Sequence, residues 1–138
     1  MLFVTVFMGM LDLRTGEFVY VNGGHNAPLV CRADKFDFLD VGKSCMLGID
    51  EDVPFAQKKI ALAKGDKIFL YTDGVTEAMN AKRELFSEDR LREFLNREDK
   101  TEPLETLPDN LQNEIKRHAE GFDQSDDITM LALAYRGK

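Results

Sequence analysis

Apolar and polar positions alternate along the first third of the chain and then give way to a helical period. Leu2-Phe3-Val4-Thr5-Val6-Phe7 and the residues up to Asp12 are rich in β-branched and aromatic types, which predicts a strand over Met1 to Asp12. Thr15-Gly16 is a turn signal and Glu17 to Asn22 resumes the strand, so the two segments read as a hairpin. Gly23-Gly24 interrupts the ladder. Ala27 to Arg32 predicts a third strand, Asp34-Lys35 a turn, and the alternation in Phe36-Asp37-Phe38-Leu39 a half-exposed fourth. Gly42, Gly48 and Pro54 punctuate a loop over 42–55. Phe55 to Leu62 predicts a weaker strand, Lys64-Gly65-Asp66 a turn, and Lys67 to Tyr71 a buried strand.

The period changes at Ser87. Ser87 suits a helix N-cap, Glu88 and Asp89 suit the positive end of the dipole, and Leu91, Phe94 and Leu95 share one face. A second helix, opening near Pro103 or Pro108, carries Leu104, Leu107, Leu111 and Ile115 at helical spacing. The segment between the helices, Asn96 to Glu102, is polar and predicts a mobile connection. His118, beside Lys116 and Arg117, predicts a surface residue. Gly121 to Ser125 leads into a last strand, Ile128 to Tyr135. Many strands, two helices and one more strand make an α+β order, with a largely antiparallel sheet whose apolar face the helices cover.

Composition narrows the classes. At 138 residues the chain is long enough for one domain with a real core. A net charge of -7 argues against a nucleic-acid-binding surface, which is basic. There is no run of about 18 apolar residues, so neither a transmembrane helix nor membrane contact is expected. The N-terminus lacks a basic region and a small-residue cleavage site, and reads as a strand rather than a signal peptide. Cys31 and Cys45 are isolated thiols without metal-type spacing, which suits a reducing cytoplasm. The chain opens inside secondary structure. A domain that starts this way and a piece of a longer protein both have this appearance.

Two acidic clusters are the candidate chemistry: Tyr71-Thr72-Asp73-Gly74-Val75-Thr76-Glu77-Ala78 and Asp123-Gln124-Ser125-Asp126-Asp127-Ile128-Thr129. Each sets a carboxylate at a strand boundary, the placement a hard divalent cation uses when Mg²⁺ or Mn²⁺ is held by a few carboxylates and water. Read alone, each is as readily a turn, because Asp-Gly is a common turn dipeptide. Adjacent Asp126 and Asp127 repel one another, and a cation relieves that. Gly23-Gly24-His25-Asn26-Ala27-Pro28 is a further candidate: paired glycines permit positive φ, and His25 is a general acid, a ligand, a phosphate contact or a turn residue bonded to backbone. No serine or cysteine occupies a nucleophile elbow, and no phosphate loop with its lysine occurs.

Taken in order, Phe3-Val4-Thr5, Gly9-Met10-Leu11-Asp12-Leu13, Thr15-Gly16-Glu17, Asn22 to Pro28, Leu47-Gly48-Ile49, Gly65-Asp66, Tyr71 to Ala78, Phe86 and Asp126-Asp127-Ile128-Thr129 strongly resemble the bacterial metal-dependent protein phosphatases of the 2C-like (PPM) superfamily, in its sporulation and general-stress-response branch. The resemblance covers essentially the whole chain, and its specificity lies in the combination of motifs. It implies an αββα sandwich, two antiparallel sheets flanked by helices. It also implies two Mn²⁺ or Mg²⁺ ions at one edge, which activate water against the phosphorus of phosphoserine or phosphothreonine with no covalent enzyme intermediate. By match to the family, Asp73 and Asp126 are implied metal ligands and Asp127 a neighbour or alternative ligand. Gly74 allows close approach, and His25 and Asn26 support the site. No side chain is assigned a catalytic proton transfer.

Two earlier family motifs, Gly-Asp-aromatic-Asp and Asp-x-x-Gly-(His/Lys)-Gly, do not occur; the sequence begins just after where the second ends. The resemblance therefore implies that residues 1–138 are the C-terminal part of such a domain. It implies that the parent acts in the cytoplasm on a phosphorylated regulatory protein, an antagonist of an anti-sigma factor, and that the isolated chain is impaired or inactive. Two alternatives stand beside it: a non-catalytic pseudophosphatase module that binds a signalling partner, and an acidic α+β domain that forms a homodimer to cover its exposed sheet.

Overall fold

The computed structural model describes residues 2–123 and 126–138. Met1, with which the first predicted strand starts, and Gln124 and Ser125 of the second acidic cluster lie outside the described residues. In chain order the elements are β1 (Val6–Leu11), β2 (Glu17–Gly23), β3 (Leu29–Arg32), β4 (Lys35–Phe38), β5 (Gln57–Ala61), β6 (Lys67–Tyr71), α1 (Asp73–Thr76), α2 (Ser87–Arg97), a 3-10 turn (Leu104–Thr106), α3 (Leu107–Ala119) and β7 (Met130–Ala134). Two antiparallel sheets result, one ordered β1-β2-β5 and the other β4-β3-β6-β7.

Local chemistry sets both hairpins. Asp12 accepts the Arg14 N–H on its side chain (2.8 Å) and the Gly16 N–H on its carbonyl (2.8 Å), which turns β1 into β2. Between β3 and β4, Ala33 and Asp34 both take positive φ (47° and 61°), the twist that a two-residue hairpin demands. β1 is shorter than the predicted strand. Upstream of it, among the described residues, only Val4 pairs, in an isolated bridge to Leu47 within the predicted loop.

β6 explains the layering. Its side chains alternate between faces, so Ile68 and Leu70 point one way and Phe69 and Tyr71 the other. The first pair joins Phe7, Leu11, Phe18 and Tyr20 between the two sheets, where the rings of Phe7 and Tyr20 stack at 5.7 Å. The second pair meets Val75, Leu91, Phe94, Leu95, Leu111 and Ile115 from the helices. A strand buried on both faces carries a continuous apolar run, which is what Ile68-Phe69-Leu70-Tyr71 is. Each fully buried aliphatic or aromatic side chain in these two cores contributes about 1.5–3 kcal/mol.

The layers are thus sheet, sheet, helix. The outer face of β1-β2-β5 bears no helix among the described residues: Met8 and Met10 are 68% and 76% exposed, beside their cross-strand partners Val21 and Val19. No helix among the described residues is long and apolar enough to cross a membrane. Cys31 and Cys45 are both free.

Four features differ from the sequence expectation. Ser87, expected at the N-cap of α2, is its first helical residue, and Phe86 takes the cap position with no side-chain cap bond. The residues after β6 form a one-turn helix, α1, where a turn or a ligand loop was expected. Asn96, expected in a mobile connection, closes α2 and clamps it to β4: its Oδ1 accepts the Phe36 N–H (2.8 Å) and its Nδ2 donates to the Phe36 carbonyl (2.9 Å). Lys100, in the same segment, donates to the Leu95 carbonyl and sits over the Phe36 ring. His118, expected at the surface, is half-buried and packs edge-on against Phe86. Its Nε2 donates to the Glu84 carbonyl (2.9 Å), which leaves Nδ1 to accept from Arg90 (2.8 Å) and joins α3 to α2.

Tyr71 carries a buried hydroxyl with no partner among the described residues. Burial pushes its phenol well above the ordinary value, with the Glu88 charge adding to the shift; burial and the Asp40 charge push Tyr20 the same way. In both cases the folded pKa exceeds the unfolded one, about 10. The shifts therefore leave stability unchanged below pH about 10 and lower it as pH rises above that, because the unfolded chain ionises first. Tyr71→Phe removes an orphaned polar group, so we expect a protein up to about 1 kcal/mol more stable at pH 7, with a shallower loss between pH about 10 and 12. Urea unfolding at the two pH values checks this, and a less stable variant at pH 7 contradicts it.

Candidate metal centre

Antiparallel pairing of β6 with β7 ends at Tyr71 opposite Met130. The residues that follow β6 must therefore lie beside those that precede β7. This brings together the two acidic clusters, which are far apart in sequence. At the end of β6, Thr72 takes the N-cap position of α1, and Asp73 opens the helix with its side chain exposed. Gly74, Val75 and Thr76 are buried behind it.

The approach between the clusters is close enough to fix a residue type. A Cβ built on Gly74 would stand 2.3 Å from the Asp127 carbonyl oxygen and 3.3 Å from that of Asp126. Glycine is required here for space rather than for an unusual φ. One carboxylate oxygen of Asp126 accepts the Asp127 N–H (2.7 Å), which ties that side chain to the backbone of the next residue. Asp127 offers its carbonyl to the Thr72 hydroxyl (3.1 Å).

The glycine-histidine loop forms the opposite wall. Buried Asn22, at the end of β2, accepts the His25 N–H on Oδ1 (3.1 Å) and donates from Nδ2 to the His25 carbonyl (2.9 Å). Gly24 takes φ +73°, and a Cβ there would stand 2.9 Å from the Met46 backbone nitrogen, so the loop closes tightly. The His25 ring lies 3.4 Å from the Thr5 hydroxyl. A hollow of about 470 Å³ lies between this loop and α1, lined by Thr5, His25, Asn26, Asp73, Glu77 and Glu88 among others.

Three carboxylates and one imidazole line this hollow. A phosphate dianion entering it alone would meet Asp73, Glu77 and Glu88 with only His25 as a side chain able to carry positive charge among the described residues lining it. The donors are hard oxygens, the type Mg²⁺ and Mn²⁺ take. Yet among the described residues no group of three His, Cys, Asp or Glu side chains converges to hold an ion. The residues fit a site in which one or two carboxylates act with water or further ligands. They do not by themselves fit a binuclear centre.

Of the residues singled out from sequence, the fold sets Gly74 against the Asp126-Asp127 backbone, and lines one hollow with His25, Asn26 and Asp73. Sequence reasoning missed Asn22 and Thr72. Asn22 precedes paired glycines and Thr72 precedes a helix start, so both carry a local turn or cap signal that hides the long-range bonds they make.

The family model for stage II sporulation protein E (SpoIIE) matches residues 1–136. Protein IcfG of Synechocystis sp. is 31% identical over 134 residues, 96% of this chain and 20% of that protein. The phosphoserine phosphatase RsbU of Bacillus subtilis is 34% identical over 77 residues, 55% of this chain and 23% of that protein. The crystal structure of the RsbU and RsbW domains of Rv1364c from Mycobacterium tuberculosis superposes with a TM-score of 0.80 at 27% identity, covering 96% of this chain and 36% of that one. The matched segments thus span about a fifth of the length of the two sequence relatives.

Proposed function

The chain belongs to the stage II sporulation protein E (SpoIIE) family, and on that premise we propose that residues 1–138 are the C-terminal part of a protein serine/threonine phosphatase domain. Its full-length protein removes phosphate from a phosphorylated regulatory protein of a sigma-factor pathway, of the anti-sigma-factor-antagonist kind. The likeness to a phosphoserine phosphatase supports the reaction class. The observation that supports the reading is the β6–β7 pairing, which brings Thr72 and Gly74, the two neighbours of Asp73, against the Asp126-Asp127 backbone, while Asp73 itself lines an acidic hollow.

Asp73 and Asp126 would hold Mn²⁺ or Mg²⁺, with Asp127 next to them. Such an ion, when bound, supplies neutralisation of phosphoryl charge and a water acidic enough to act at neutral pH. The chain's own contribution is placement. Asn22 fixes the backbone of His25, so that the His25 and Asn26 side chains line the wall facing Asp73 and can present N–H groups to a phosphoryl oxygen. Gly74 lets α1 pack onto the Asp126-Asp127 backbone, where any side chain would strike the Asp127 carbonyl. Two free thiols suit work in the cytoplasm.

The test is phosphate release from a phosphoserine-bearing regulatory protein by the full-length protein, with Mn²⁺ and after its removal by EDTA, beside the 138-residue chain alone. We expect Mn²⁺-dependent release by the first and little by the second, because among its described residues no three His, Cys, Asp or Glu side chains converge. Turnover indifferent to EDTA would sink the metal assignment. That same scarcity of ligands favours a second reading, a pseudophosphatase module. It predicts stoichiometric capture of the phosphorylated partner by the full-length protein with no release at any Mn²⁺ concentration.

A further inference from the structure

Thr72 makes a set of bonds that its position does not call for. A threonine at a helix N-cap ordinarily turns its hydroxyl onto the first-turn N–H groups. Here the side chain makes no cap bond. The hydroxyl instead donates to the Asp127 carbonyl (3.1 Å) and accepts the Thr129 N–H (3.0 Å), while the Thr72 N–H donates to the Thr129 carbonyl (3.1 Å). The strand ladder between β6 and β7 ends one pair earlier, at Tyr71 and Met130. Thr72 therefore adds one further rung in which a side-chain oxygen replaces a backbone carbonyl. That rung is the last tie before the chain departs on one side into Asp73 and on the other into Asp127 and Asp126.

From this geometry we infer that Thr72 is a positioning residue for the cation site, setting the offset between Asp73 and the Asp126-Asp127 segment; the inference rests on the metal reading given above. Groups that hold ligands in place typically govern metal affinity by 10–100-fold. A hydroxyl is needed for the role, since one atom must donate and accept at once. Valine has nearly the same shape and can do neither. Serine can do both.

The experiment is Mn²⁺ binding by the full-length protein, followed by the electron paramagnetic resonance signal of the free aquo ion, which requires no turnover. Thr72→Val is expected to raise the Kd for Mn²⁺ by about tenfold or more, and Thr72→Ser to keep it near that of the unaltered protein. A purely structural role would instead make serine, which loses the methyl group, as harmful as valine. Thr72→Val binding with unchanged Kd overturns the inference, and so does failure of serine to preserve binding. If Thr72→Val does not fold, the Thr129 amide hydrogen of the unaltered protein decides: protection like that of the β6 amides supports the tie, and exchange at a loop rate overturns it. An unaltered protein that binds no Mn²⁺ overturns the metal reading and this inference with it, an outcome distinct from tight binding that Thr72→Val leaves intact.

Discussion

Asp73→Asn is expected to lower Mn²⁺-dependent phosphate release by the full-length protein at least about 100-fold, with a melting temperature within a few degrees of the unaltered protein. Asp73 is exposed at the start of α1, and the buried residues of that turn are its successors. An amide there removes a charge and, on the proposed reading, a hard anionic ligand while disturbing no packing, and exposed substitutions of this kind change stability within about 0.5 kcal/mol. Steady-state release at saturating phosphoprotein, paired with a thermal melt, separates the two effects. An asparagine variant with undiminished release removes Asp73 from the site. One that unfolds makes Asp73 a structural residue instead.

Gly74→Ala carries the largest expected structural effect, because two ordinary rules give opposite signs there. Inside a helix, alanine is favoured over glycine by about 1 kcal/mol. At Gly74 the added methyl would stand 2.3 Å from the Asp127 carbonyl oxygen and 2.8 Å from its carbon, both backbone atoms that cannot swing aside. Overpacking against backbone costs about 1–3 kcal/mol or more. The close approach should prevail, with a net loss of about 2 kcal/mol, roughly 5–10 °C in melting temperature. The segment that must give way carries Asp126 and Asp127, so Mn²⁺ affinity should fall with stability. A Gly74→Ala protein that melts higher would show that helix propensity prevails and that the two clusters do not touch.

Much of the fold was legible because local signals and hydrophobic period agreed. Thr15-Gly16 and Asp34-Lys35 mark the two hairpins, and Leu91, Phe94 and Leu95 mark the buried face of α2. The unbroken apolar run of β6 announced a strand covered on both faces. The division of the strands between two sheets was not legible: β5 joins β2 and β6 joins β3 across long gaps in sequence, and pairing at that distance leaves no periodic trace. Asn96 was misread for a related reason. A polar residue at a helix end is an exposed residue by local rules, whereas its bonds to Phe36 span 60 positions. The site was half legible. The residue types of Asp73, Gly74 and Asp126 stand out in order, but only the β6–β7 register shows why they meet, and Thr72 looks like a cap until its partners are known.

The order in which the strands appear has a consequence for how the protein is made. The chain lays down β1 and β2 in one sheet, β3 and β4 in the other, returns to the first for β5, and reaches the edge strand β7 only after all three helices. Synthesis at about 5–20 residues per second leaves several seconds between the emergence of β6 and that of β7. Through that interval β6 has a free edge and the Asp126-Asp127 segment does not yet exist. A nascent chain therefore cannot assemble the proposed cation site early, and a chaperone that shields the open edge of β6 would act at the step on which joining of the two acidic clusters depends.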